Sequence, residues 1–139
     1  MVYCLFIGTF KDKGLESLAG ELQKRIGRLW PITLVVLKET PKEIQRWVDQ
    51  HEGRGLFLSL DPSGKLMDSN AFAEWVTQSS QDLYFFAWGA RGPLEGVKLP
   101  TPQKISLSPM TFSHELARVV LFEQFYRSAA LLKGHPYPK

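Results

Sequence analysis

The chain has 139 residues, 44% hydrophobic and 22% charged, with 17 basic against 14 acidic side chains and a net charge of +3. That size predicts one domain over 1–139 with its own core, and the ordinary composition excludes a fibrous or disordered chain. The lone Cys4 excludes an intramolecular disulfide or a cysteine zinc cluster, and no apolar run reaches membrane-spanning length, so a cytoplasmic protein is expected.

Val2–Ile7 is a short apolar run closed by Gly8, the pattern of a strand buried on both faces. Leu15, Leu18, Leu22, Ile26 and Leu29 recur at helical steps, with Glu21, Lys24, Arg25 and Arg28 opposite. After Pro31, Ile32–Leu37 reads as a second strand. Thr40 followed by Pro41 opens a helix with an Ile44, Trp47 and Val48 stripe, and residues 56–60 follow as a third strand. Residues 61–65 predict a turn, then Asp68 or Ser69 caps a helix carrying Phe72, Trp75 and Val76. Residues 83–87 form a fourth strand, 104–107 a fifth and 112–132 the longest helix. Solidly apolar strands alternating with helices predict an α/β fold, a mostly parallel sheet flanked by helices.

In such a sheet the loops after Leu60, Ala87 and Leu107 leave the carboxyl ends of their strands and can converge on one ligand. The segment from Gly89 to Gly92 lacks the lysine and the spacing of phosphate-binding glycine loops. No metal-ligand spacing and no nucleophile motif appears, so no metal is expected. Glu123 and Arg127 form an i,i+4 pair that can be purely helix-stabilising. Leu116, Val119, Val120, Phe122 and Phe125 span an arc wide enough for a central helix or for one docked on a partner subunit. The tail with His135, Pro136 and Tyr137 is either a frayed end or an aromatic, cationic flap for RNA.

The run from Ile105 to Arg127, with its serine-rich loop, Met110-Thr111-Phe112 turn, His114, Arg118-Val119 step and Glu123-Gln124-Phe125-Tyr126-Arg127 helix, carries a resemblance. Together with Leu60-Asp61 and Gly64-Lys65, it resembles the RlmH (YbeA-type) family of SPOUT-class methyltransferases, which act on N3 of a pseudouridine in large-subunit (23S) ribosomal RNA. The resemblance covers essentially the whole chain. It implies a C-terminal deep trefoil knot, a homodimer contacting through the long helix, and S-adenosyl-L-methionine as cofactor. Carried over by position, the cofactor would touch Leu60, Trp88, Gly89, Leu107, Ser108, Pro109, Met110, Thr111 and Phe112. RNA, in the ribosome or the large subunit, would meet Arg118, Arg127, Tyr137 and Lys139, and catalysis would fall to His135, Arg127 and Lys139. The sequence departs from the family at Trp88, where the family has glycine, and at Pro138, where it has histidine. An indole at position 88 is expected to turn out of the pocket. The alternative is a catalytically weak RNA- or ribosome-binding relative whose cofactor pocket has eroded at these two positions.

Overall fold

A computed structural model describes residues 1–137. The chain runs β1 (Val2–Ile7), α1 (Lys13–Gly27), β2 (Ile32–Leu37), α2 (Pro41–His51), β3 (Gly55–Leu66), α3 (Ser69–Gln78), β4 (Asp82–Ala87), β5 (Gln103–Ser106) and α4 (His114–Lys133). The five strands form one sheet in the order β2-β1-β4-β3-β5, and every neighbouring pair is parallel. All carboxyl ends therefore lie along one edge.

Alternate residues of β1, β3 and β4, with Ile105 of the edge strand β5, feed two cores. Cys4, Phe6, Leu58, Leu83, Phe85 and Ile105 pack with Leu22 and Ile26 of α1, Phe72 and Val76 of α3, and Phe122 and Phe125 of α4. Leu5, Ile7, Phe57, Tyr84 and Phe86 face the other way, onto Ile44 and Val48 of α2. Parallel strands need a long crossover. Between β4 and β5 residues 88–102 supply one without a helix, placing Leu94, Val97 and Leu99 against the second core. Burial pushes the Cys4 thiol up, as suits a small hydrophobe.

Helix starts follow local chemistry. Asp12, Asp68 and Ser113 side chains accept the N–H of Leu15, Ala71 and Leu116. Thr40 makes no side-chain cap bond, and Pro41 alone sets the entry to α2. α4 ends at Gly134 with φ +65°, the left-handed cap that favours glycine.

The expected end of the third strand at Leu60 is too early. β3 resumes after an excursion, because Leu60 and Lys65 both pair with Ile105 and the register shifts between them. A Cβ on Gly64 would lie 2.4 Å from the Lys104 carbonyl carbon, so only glycine lets the excursion lie flat on β5.

The wide apolar arc of α4 has a simpler cause than a partner. The helix lies between α1 and α3, and Val119, Phe122 and Phe125 are spent in the protomer's own core. Leu116, Leu131 and Leu132 remain exposed. Among the described residues no helix is long and apolar enough to cross a membrane.

Candidate ligand cavity at the carboxyl edge

The loops after β3, β4 and β5 close on a cavity of about 490 Å³, within the usual size of small-molecule sites. Leu60, Trp88, Gly89, Leu107, Ser108, Met110 and Phe112 line it. Of the cofactor contacts expected from sequence, Pro109 and Thr111 are not on its wall. Both are exposed, at the tip of the turn between β5 and α4. Asp61 and His114, named in the sequence motifs but not among the expected cofactor contacts, are on that wall. Asp61 was visible as the residue after a strand end, the position that parallel sheets use for ligands.

The serine loop is braced from within. Ser106 Oγ donates to the Ser108 carbonyl at 2.9 Å, and the Met110 N–H donates to Ser108 Oγ at 2.9 Å. Gly89 is held for space: a Cβ there would meet Glu39 Oε2 at 2.5 Å and the Ile7 carbonyl oxygen at 3.0 Å.

Trp88 turns away from the ligand space, but into the core and not toward solvent. Its side chain is buried, and Nε1 donates to Ser59 Oγ at 2.7 Å. The ring lies 5.4 Å from that of Phe86, in the second core. Tyr84, Phe86 and Trp88 share one face of β4 and its extension, and that alternation carries the indole inward. It forms part of the cavity wall and leaves the space open.

Arg118, expected at an RNA surface, is 1% exposed. Its guanidinium donates to the carbonyls of Ile7 at 2.5 Å and Gly8 at 3.0 Å, and stands 5.0 Å and 5.3 Å from the rings of Phe6 and Phe10. It ties α4 to the end of β1, so the RNA assignment is corrected to a structural one. Glu115 assists from the same turn, accepting the N–H of Asp12 at 3.0 Å and of Lys11 at 2.9 Å. The Asp12 N–H leads in holding its carboxyl below the usual glutamate range.

Arg127, His135 and Tyr137 come together at the other end of α4. Arg127 Nε donates to both Glu123 oxygens, at 2.5 Å and 3.0 Å, and the guanidinium stands 5.0 Å from the Tyr137 ring. Tyr137 packs edge-on against Tyr126 at 4.4 Å, and the His135 N–H donates to the Ala130 carbonyl at 2.8 Å. Through Tyr137 the tail is thus docked rather than frayed. With Ser69 and Asn70, these three residues line a second hollow of about 290 Å³. At 1.5 Å per residue, Arg127 lies about 20 Å along α4 from His114 on the first cavity. Lys139 and Pro138 fall outside the described residues.

The model of the family described as "Predicted SPOUT methyltransferase" matches residues 1–138. The chain belongs to the SPOUT methyltransferase family. Its five-stranded parallel α/β sheet agrees with the fold expected from sequence. Among similar proteins, the Ribosomal RNA large subunit methyltransferase H of Solibacter usitatus is 37% identical, the match covering 98% of this chain and 97% of that protein. Proteins of the same name from Coprothermobacter proteolyticus and Gemmatimonas aurantiaca are 34% and 31% identical, each match covering 99% of both chains.

Proposed function

We propose that this SPOUT protein is an S-adenosylmethionine-dependent methyltransferase acting on N3 of a pseudouridine in large-subunit ribosomal RNA, and that it works as a homodimer in the cytoplasm. The observation that carries the reading is the cavity built by the β3, β4 and β5 loops at the carboxyl edge. The residues there suit the donor. Leu60, Leu107 and Phe112 offer an apolar slot for a flat base, and the loop backbone offers the polar partners a nucleoside needs. The cavity stays open beside Trp88, which favours the enzyme over a relative with an eroded pocket.

When bound, S-adenosylmethionine would supply an electrophilic methyl group on a positively charged sulfur. The chain's own task is to hold the acceptor in line with it and to manage the N3 proton. Imide N3–H is weakly acidic, so a positioned base with a positive field would suffice. His135 would take the proton, while Arg127 and Lys139 would favour the anion and Tyr137 would stack on the base. Inside one protomer Arg127 stands about 20 Å along α4 from the cavity wall at His114, too far to serve it. We therefore assign the acceptor site to the tail of one subunit meeting the cavity of its partner. The exposed leucines near the two ends of α4, Leu116 and Leu131, would be part of the contact. Proximity and electrostatics would then supply most of the rate. The deep trefoil knot that this family resemblance implies would hold the three loops in place.

Mass-spectrometric mapping of 23S rRNA from cells with and without this chain tests the substrate. A single N3-methylated pseudouridine present only with the chain is the expected result, and identical maps would overturn the reading. Mixed dimers of a His135→Ala subunit and a Gly89→Trp subunit test the shared site. Activity is expected to return on mixing, in one of the two cavities, and its absence from mixed dimers that circular dichroism shows to be folded would refute the cross-subunit arrangement.

A further inference from the structure

One formal anion stands in the wall of the carboxyl-edge cavity. Among its described lining residues Asp61 is the single carboxylate, no lysine or arginine joins it, and His114 is the other titratable side chain. Asp61 sits where β3 leaves its first register with β5. Its Oδ1 accepts the Ser63 N–H at 2.8 Å and the Ser63 hydroxyl at 2.7 Å. Those two donors hold the carboxyl below the usual aspartate range, so the group is ionised throughout the neutral range. The nearest cation, Lys104 Nζ, is 3.9 Å from Oδ2 on a side chain that is 60% exposed. An ion pair so open to water neutralises little of the charge. The Gly64 contact with the Lys104 backbone clamps the excursion and fixes where the carboxylate stands.

We propose that Asp61 makes this cavity selective for the cationic, methyl-bearing form of its ligand over the neutral, demethylated form. The proposal rests on the reading of the cavity as an S-adenosylmethionine site. A sulfonium carries a full positive charge at sulfur, and loss of the methyl group leaves an uncharged thioether. A fixed carboxylate in a partly water-excluded slot attracts the first and is nearly indifferent to that change in the second. Asp61 is a specificity-determining residue by this argument. It favours fresh donor and eases departure of the spent one.

Isothermal titration calorimetry on the full chain with S-adenosylmethionine and with S-adenosylhomocysteine separates the outcomes. Asp61→Asn keeps an oxygen for the Ser63 donors. It is expected to weaken S-adenosylmethionine about tenfold while moving S-adenosylhomocysteine less than about twofold. Lys104→Gln, which removes the nearby cation and leaves the turn intact, is expected to shift the preference about twofold the other way. This second variant keeps the test decisive if Asp61→Asn disturbs the excursion. Equal changes for both ligands, or none in either variant, would overturn the role of Asp61 and leave the donor reading standing. Failure of the unmodified chain to bind either ligand would overturn the donor reading and this proposal with it.

Discussion

Replacing Trp88 by glycine restores the residue that the resemblance implies at this position, yet the structure predicts a loss. The indole is 6% exposed, donates to Ser59 Oγ and packs on Phe86. Truncating a buried tryptophan to alanine costs about 3–5 kcal/mol. Glycine adds roughly 0.5–1 kcal/mol through backbone freedom, and the orphaned Ser59 hydroxyl, itself 6% exposed, adds more. The neighbouring cavity lets water reach one side and returns part of this, so about 3–5 kcal/mol is expected overall. For a chain of this size that lowers the melting temperature by roughly 10–20 °C. Urea unfolding followed by far-UV circular dichroism measures it, and Trp88→Phe separates the hydrogen bond from the packing. Calorimetry on the folded variant should show S-adenosylmethionine affinity unchanged or weaker, since the ring is wall and not obstruction. A variant within about 1 kcal/mol of the parent that binds at least tenfold tighter, about 1.4 kcal/mol, would refute the reasoning.

Arg118→Met strips the donors from two carbonyls at the end of β1 and should destabilise by about 2–4 kcal/mol. The salt dependence of RNA binding by the folded variant should keep its slope, whereas a lost phosphate contact would reduce it by about one. Glu115, whose folded pKa is depressed, stabilises the fold at pH above the unfolded glutamate value of about 4.3, and that contribution fades as pH falls through the folded value. Glu115→Gln should therefore be less stable than the parent at pH 7, with the gap closing in acid. Equal gaps at pH 7 and pH 3 in thermal melts would contradict it. Leu116→Arg with Leu131→Arg, both on exposed positions of α4, should give a folded monomer by sedimentation equilibrium, and an intact dimer would exclude those leucines as the contact.

The sequence by itself determined the element order and the parallel sheet. Short apolar runs and helical periodicity are local signals, and burial on both faces leaves strands such as Leu83–Phe86 no polar alternation. It also placed the three loops at one edge, because that follows from strand direction alone. The tertiary structure decided what faces what. An arginine on a helix reads as a surface cation until its neighbours are known. Arg118 is buried because the open carbonyls at Ile7 and Gly8 and the rings of Phe6 and Phe10 meet it from residues more than a hundred positions away. The arc of α4 was readable, but whether α1 and α3 or a second subunit cover it is a matter of packing. Trp88 turned inward because a partner for its N–H stood on the adjacent strand, at Ser59. Asp61 could be read from sequence as the residue after a strand end, but the register shift between Leu60 and Lys65, a pairing between distant segments, decided where the excursion carrying it lies.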